Sequence, residues 1–158
     1  MTQETLVLGG GPIGLEFATE LAAQNQPVAI VDGEPTVSRA REAGLTAHES
    51  TLETATLPAD RSASTVVVAT ASDARNLLLA TAARRASDAD RVVALVNDPD
   101  RRAAFDDAGI ETVCVSRTVA RATADSVAVE ESADSVAVTE STLTDRAAEA
   151  DERARIEE

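Results

Sequence analysis

The sequence predicts an α/β fold: a Rossmann-like, doubly wound sheet of six parallel strands with helices on both faces, followed by an acidic C-terminal tail. Short apolar runs alternate with runs of helical length along the first 115 residues, which is the pattern of repeated βαβ units. A glycine-rich turn lies between the first apolar run and the first helical run. The composition changes near residue 122, so we predict a sheet domain over residues 1–122 and a tail over residues 123–158.

Six apolar runs predict the strands, because each is short and is bounded by turn-forming residues. The runs are Thr5–Leu8, Val28–Val31, Leu45–Ala47, Ser64–Ala69, Arg91–Val96 and Thr112–Val115. Helical runs between them require right-handed crossovers. The expected strand order is therefore 3-2-1-4-5-6, with a ligand crevice where strands 1 and 4 diverge.

The helical runs have recognisable ends. Pro12 suits the first turn of the first helix, in which Ile13, Phe17 and Leu21 recur every four residues and predict an apolar face. Phe17 and Phe105, the two aromatic residues, are expected in the core. The other predicted helices are Pro35–Ala43, a weak one over Thr51–Leu57, one capped by Ser72 and ending near Ala86, and Pro99–Ala108.

The tail has its own composition. Residues 123–158 contain no Gly or Pro and carry 11 acidic residues against 3 Arg. Residues 124–132 are repeated at 133–141 with one difference, and two copies are too few for a solenoid. Two interpretations stay open: a weakly ordered acidic tail, or short helical or strand segments that contact a second subunit. Within and before the tail, Ser116–Val129 is our candidate for a dimer contact.

Charge and composition exclude several kinds of protein. The 158 residues include 28 acidic side chains and 14 basic ones, all Arg, for a net charge of −14. This balance argues against binding nucleic acid and favours the cytoplasm of a halophile, where salt screens repulsion between carboxylates. One Cys and one His exclude a disulfide framework and a site with several Cys or His ligands. Cys114 is expected to be an inert residue of a buried strand.

The glycine-rich turn points to a dinucleotide or adenine nucleotide. Gly9-x-Gly11-x-x-Gly14 follows a predicted strand and opens a predicted helix, and Asp32 ends the next strand. In this motif the first glycine makes the turn, the second lets a pyrophosphate approach the backbone, and the third lets helix and strand pack closely. The helix N-terminus attracts phosphate, while the Asp32 carboxylate accepts hydrogen bonds from ribose and repels a 2′-phosphate, which favours NAD(H) over NADP(H).

The crevice adds residues from two further loops. The loop after the fourth strand contains Ala69, Thr70, Ser72 and Asp73, and His48–Glu49 should follow the third strand near the adenine. Together with a neighbouring residue on the fourth helix, the candidate nucleotide-binding residues are Gly9, Gly11, Pro12, Ile13, Gly14, Asp32, Gly33, His48, Glu49, Ala69, Thr70, Ser72, Asp73 and Asn76. No residue is predicted to be catalytic or to bind a metal.

The chain from Leu6 to Val115 resembles the RCK N-terminal domain, also called TrkA-N or KTN. The resemblance follows Val-Leu-Gly-Gly-Gly-Pro-Ile-Gly, then Val-Ala-Ile-Val-Asp32, then Ala-Thr-Ala-Ser-Asp73-Ala-Arg-Asn76, then Val-Asn97-Asp98-Pro99. Two positions depart from the family pattern. His48-Glu49 stands where the family often has Gly-Asp, and Leu95 stands where it often has Arg.

The resemblance implies a regulatory role rather than catalysis. Such domains bind NAD(H), ATP or ADP, form homodimers or larger rings, and act on a membrane-embedded potassium transporter or channel. We therefore expect a cytoplasmic protein that is not an enzyme and that reaches the membrane only through its partner. The alternative is a small NAD-dependent oxidoreductase or a methyltransferase-like Rossmann protein. A second resemblance, of Gly9–Ala18 to flavin disulfide reductases, covers ten residues only.

Overall fold

The computed structural model contains one parallel sheet of six strands and describes residues 4–53, 63–87 and 89–129. The strand order is β3-β2-β1-β4-β5-β6, which confirms the predicted fold class and topology. The strands are β1 (Thr5–Leu8), β2 (Val28–Asp32), β3 (Thr46–Glu49), β4 (Thr65–Val68), β5 (Arg91–Val96) and β6 (Glu111–Cys114). The helices are α1 (Pro12–Ala23), α2 (Thr36–Glu42), α3 (Asp73–Ala86), α4 (Arg102–Asp107) and α5 over residues 115–129.

Because successive strand residues point to opposite faces, the core has two parts. On one face, α3 packs on β4 and β5 and α4 packs on β6. On the other face, α1 packs on β1 and β2, and α2 packs on β2 and β3. Leu6 and Leu8 of β1 belong to the first part of the core, and Val7 belongs to the second. The central strands are buried on both faces, as their nearly continuous apolar sequences require.

The helix ends follow the sequence signals. Pro12 occupies the first turn of α1, where its missing N–H costs no hydrogen bond. The Ser72 hydroxyl accepts a hydrogen bond from the Arg75 N–H and caps α3, as predicted. The segment after β5 is divided, because a turn of 3₁₀ helix over Pro99–Arg101 precedes α4. The Asp98 side chain accepts a hydrogen bond from the Asp100 N–H at its start.

Several sequence-based expectations are wrong in detail. β3 begins and ends later than the predicted Leu45–Ala47 and includes His48 and Glu49. Residues 51–53 of the predicted helix Thr51–Leu57 have no regular structure, and its other residues lie outside the described part of the chain.

Phe17 is 38% exposed, whereas Phe105 is buried in the core as expected. The periodicity of α1 marked an apolar face correctly but did not show that Ile13 and Phe17 line an apolar groove on the sheet.

The chain divides into two compact units, Met1–Arg117 and Thr118–Glu158. The first contains the whole sheet. Of the second, the structure describes residues 118–129, which are helical and exposed. The second copy of the nine-residue repeat and the rest of the predicted tail, from residue 130, lie outside the described residues, so the boundary at residue 122 stays a prediction. Among the helices of the described residues, none is long and apolar enough to span a membrane.

Candidate functional site

The turn between β1 and α1 is built from three consecutive glycines with positive φ angles, from +51° to +103°. Gly10 is closely surrounded, because a Cβ there would lie 2.8 Å from Gly14 N and 2.9 Å from the Ala69 side chain. Around Gly11, by contrast, a Cβ would meet nothing within 4 Å. The turn therefore packs closely against the protein on one side and leaves open space at Gly11 on the other.

Gly14 brings α1 against this turn. A Cβ on Gly14 would lie 2.2 Å from the carbonyl oxygen of Gly9, which is far below any real contact. Only glycine lets the first turn of α1 approach β1 this closely. The positive end of the helix dipole is thus brought to the carboxyl edge of the sheet, beside the turn.

Asp32, the last residue of β2, is held in place by two backbone groups. Its Oδ2 accepts a hydrogen bond from Gly11 N–H at 2.9 Å, and its Oδ1 accepts one from Gly33 N–H at 2.8 Å. The side chain is half-buried. The carboxylate and the glycine turn thus form one unit, in which an acceptor for hydroxyl groups lies beside the N-terminus of α1.

The segment after β4 forms the wall behind the turn. Ala69 N–H donates to the Leu8 carbonyl oxygen at 2.9 Å and continues the sheet by one residue. Thr70 Cγ2 lies 2.7 Å from the position of a Cβ on Gly9. The Thr70 hydroxyl donates to Asn76 Oδ1 at 2.5 Å, and Asn76 is fully buried.

Asp73, the first residue of α3, binds the loop that follows β5. Its Oδ1 accepts hydrogen bonds from Asn97 N–H at 2.7 Å and from Asn97 Nδ2 at 2.9 Å, and its Oδ2 accepts one from Asp98 N–H at 2.9 Å. Burial by itself would raise the pKa of Asp73, but these hydrogen bonds and the charge of Arg101 outweigh burial and lower the pKa below its usual value. Asp73 is therefore an ionised carboxylate at neutral pH with its acceptors engaged inside the protein.

Comparison with protein families identifies the group to which this chain is related. The model of the TrkA-N domain matches residues 5–116, which is most of the chain and the whole sheet. The chain belongs to the TrkA-N domain family. The resemblance noted in the sequence is thereby confirmed. No curated protein sequence matches the chain.

Two solved structures share the fold of this TrkA-N domain. One is the NAD(P)-binding domain of an exopolyphosphatase-related protein from Archaeoglobus fulgidus, with a TM-score of 0.68, 24% identity, and coverage of 79% of this chain and 97% of that one. The other is the TrkA-N domain of the inner membrane protein ybaL from Escherichia coli, with a TM-score of 0.67, 18% identity, and coverage of 79% and 96%. At these identities the likeness shows the fold.

His48 and Glu49 were expected to lie in the loop after the third strand, but the structure of this TrkA-N domain places them within a strand. Both residues belong to β3, where His48 pairs with Val31 and Glu49 pairs with Asp32. Glu49 is exposed at the carboxyl end of the sheet, next to the Asp32 strand end. His48 Nε2 is buried and has no hydrogen-bond partner among the described residues. The predicted loop was wrong, because the strand pattern continues for two residues beyond Ala47.

The other predicted site residues fall into two groups. The carboxyl ends of the strands bring together the turn residues Gly9, Gly11, Pro12, Ile13 and Gly14 with Asp32, Gly33, Ala69 and Thr70. Ser72 is exposed and caps α3, whereas Asp73 and Asn76 are buried behind the turn, with their side chains engaged by the protein.

Sequence reasoning missed two contributors to the site. Gly10, the middle residue of the turn, is the one most tightly packed against Ala69. Leu52 lies beyond β3 with a positive φ of 53°, and its side chain is 3.2 Å from the position of a Cβ on Gly9. The glycine run itself was the available signal for Gly10. Nothing in the sequence around Leu52 signals a long-range contact.

Beside the turn runs an apolar groove of about 390 Å3 on the α1 face of the sheet. Its lining is mostly apolar and comes from α1 and from four strands: Thr5, Ile13, Phe17, Leu21, Thr65, Val67, Ala69, Arg91, Val93, Leu95 and Val113. Leu95, which stands where the family often has Arg, faces this groove. The groove is therefore apolar at this position, not cationic.

Among residues 4–53, 63–87 and 89–129, no three His, Cys, Asp or Glu side chains form a metal-binding group.

Cys114 is half-exposed rather than buried, because β6 is the edge strand. A hydrogen bond with the Ser116 hydroxyl, helped by the Arg117 backbone and charge, lowers the pKa of the Cys114 thiol although partial desolvation opposes this.

Proposed function

We propose that this TrkA-N domain binds NAD(H), or an adenine nucleotide such as ATP or ADP, at the glycine turn. The observation that carries the proposal is the Asp32 carboxylate hydrogen-bonded to Gly11 N–H at the start of α1. The open space at Gly11 suits a pyrophosphate, and Asp32 suits the hydroxyl groups of the adenosine ribose. The name of the Archaeoglobus fulgidus neighbour, an NAD(P)-binding domain, supports the same ligand class.

The proposal includes selectivity for NAD(H) over NADP(H). A 2′-phosphate would place negative charge beside the Asp32 carboxylate in a chain whose net charge is already −14. The exposed Glu49, next to the end of β2, adds a second carboxylate on that side. Like charges at short distance repel most strongly where water is partly excluded.

Binding is tested by titrating NADH fluorescence in molar KCl, with the non-fluorescent competitors NAD, NADP, ATP, ADP and S-adenosylmethionine. The absence of Trp and Tyr keeps the protein's own emission low. Asp32→Ala should weaken NADH binding about 10- to 100-fold, since hydrogen bonds to a charged group contribute roughly 1.5–3 kcal/mol. Glu20→Ala removes the same charge from an exposed position on α1 and should leave the affinity unchanged.

The outcomes separate the candidate functions. Displacement by NAD or ATP, lost in Asp32→Ala, supports nucleotide sensing. Displacement by S-adenosylmethionine alone would favour a methyltransferase-like protein, and steady oxidation of NADH by a carbonyl substrate would favour an oxidoreductase. Saturable NADH binding that is indifferent to Asp32→Ala would contradict the site proposed here.

The wider role we propose is regulation of cation transport, specifically of potassium, by a cytoplasmic homodimer or ring that meets the membrane through a transporter or channel. The family and the origin of its Escherichia coli neighbour in an inner membrane protein support this proposal. Two arrangements of the assembly with different nucleotide affinity would give the switch. Rubidium uptake by cells carrying Asp32→Ala should differ from that of cells carrying Glu20→Ala. Equal uptake rates would contradict a transport role for the nucleotide.

A further inference from the structure

Asn76 is the centre of a buried polar network behind the glycine turn. Its Nδ2 donates to the carbonyl oxygens of Thr70 and Leu95, both at 2.9 Å, and its Oδ1 accepts from the Thr70 hydroxyl. The side chain is 0% exposed. Both of its donors and its oxygen are therefore engaged within the protein, so the amide does not reach a ligand in the crevice.

The Thr70 hydroxyl makes its shortest hydrogen bond, at 2.5 Å, to Asn76 Oδ1, while its contacts with the Ser72 backbone are 3.3 Å long, so Asn76 is the main partner that orients the Thr70 side chain. The hydroxyl and methyl groups of threonine share one carbon, so holding the hydroxyl sets the direction of the methyl group. That methyl group lies 2.7 Å from the position of a Cβ on Gly9. Thr70 thus fills the space behind Gly9, the first residue of the turn.

We infer that Asn76 is a positioning residue for the glycine turn, acting through the methyl group of Thr70. With the hydroxyl held by Asn76, the methyl group supports Gly9, and the turn keeps the conformation that presents Gly11 N–H to Asp32. The bond from Asn76 to the Leu95 carbonyl ties the end of β5 to the same point. The effect on affinity rests on the proposed nucleotide function, whereas the effect on the turn does not.

The first test needs no ligand. Selective ¹⁵N labelling of glycine gives few amide resonances, because the chain has seven glycines. In Asn76→Ala, the Gly9, Gly10 and Gly11 resonances should shift while Gly44, in the turn after α2, stays in place. Leu79→Ala, a buried apolar truncation on the same helix, is the control for general destabilisation and should leave all four in place. Unchanged Gly9–Gly11 resonances in folded Asn76→Ala would overturn the inference.

Thr70→Ser keeps the test decisive if Asn76→Ala does not fold. It retains the hydroxyl bonded to Asn76 and removes only the methyl group, so it should shift the same three glycine resonances. If it leaves them in place, the methyl group does not support the turn and the inference fails.

The second test is a double-mutant cycle on NADH affinity. Asn76→Ala and Thr70→Ser should each weaken NADH binding about 3- to 30-fold. The double variant should bind NADH about as tightly as the single variant of lower affinity, because both substitutions act through one methyl group. Additive losses of binding free energy in the double variant would show that the two residues act independently, and would refute the inference that Asn76 acts through the Thr70 methyl group. If no variant and no wild-type protein binds NADH, the proposed function fails while the glycine resonances still decide the role of Asn76.

Discussion

At the residue scale, the site depends on close approaches that only small side chains permit. Gly14 and Gly33 were both candidate binding residues, yet they differ in what surrounds them. A Cβ on Gly14 would lie 2.2 Å from backbone, whereas a Cβ on Gly33 would meet nothing within 4 Å. The motif spacing predicted the role of Gly14, because that position in the motif faces the first strand. It carried no information about the surroundings of Gly33.

Gly14→Ala should therefore destabilise the protein by about 2 kcal/mol or more, since the backbone of the turn must shift to relieve the overlap. Gly33→Ala should change the free energy of unfolding by less than about 0.5 kcal/mol. Urea denaturation followed by circular dichroism in molar KCl measures both. Equal losses in the two variants would contradict the packing described for the turn.

Asp73 should make stability depend on pH in the acid range. Its folded-state pKa is lower than its usual value, so the stabilisation is present above the unfolded-state pKa of about 4 and is lost as pH falls through the folded-state value. At neutral pH, Asp73→Asn should lose about 1–3 kcal/mol, because charge-assisted hydrogen bonds to two backbone N–H groups become neutral.

The difference between wild type and Asp73→Asn should shrink as pH is lowered below about 4. Unfolding free energies measured from pH 7 downwards test this, with Asp107→Asn, an exposed carboxylate on α4, as the control. A constant difference across that range would show that the ionised carboxylate is not the source of the stabilisation.

At the element scale, the regular elements were predictable and their ends were less so. The glycine turn, Pro12 and Ser72 mark boundaries by local chemistry, and these boundaries agree with the structure. The end of β3 at Glu49 does not follow from local preference, because it depends on hydrogen bonds to β2, which sequence periodicity does not encode. The 3₁₀ turn before α4 begins at the local cap that Asp98 makes with the Asp100 N–H, and periodicity alone does not separate this turn from the helix that follows.

The helix over residues 115–129 carries exposed valines along one side. Val119 and Val127 are eight residues apart and therefore about 80° apart around the helix, on the same half of its surface, and are 58% and 55% exposed. If this helix joins two copies of the chain, as we propose, the double substitution Val119→Ser and Val127→Ser should convert a dimer to a monomer in sedimentation velocity experiments. Arg121→Ser, on the opposite side, should remain dimeric. A monomeric wild-type protein at micromolar concentration in molar KCl would refute the proposal.

At the scale of the whole molecule, the surplus of carboxylates should make folding depend on salt. The net charge of −14 opposes compaction, and the screening length falls from about 10 Å at 0.1 M salt to about 3 Å at 1 M. The midpoint of thermal unfolding should therefore rise with KCl, and less steeply in Glu16→Gln/Glu20→Gln, which neutralises two exposed carboxylates on α1. A midpoint independent of KCl would contradict adaptation to high salt.

The contrast between the two phenylalanines has a practical consequence. Phe105 is 1% exposed within the core, whereas Phe17 is 38% exposed at the apolar groove. Apart from His48, the chain has no other aromatic residue. Fluorinated phenylalanine introduced at both positions would give two ¹⁹F signals, one reporting on the integrity of the core and one on occupancy of the groove. The protein thus carries a matched pair of spectroscopic reporters, by which unfolding and surface binding can be followed separately in a single sample.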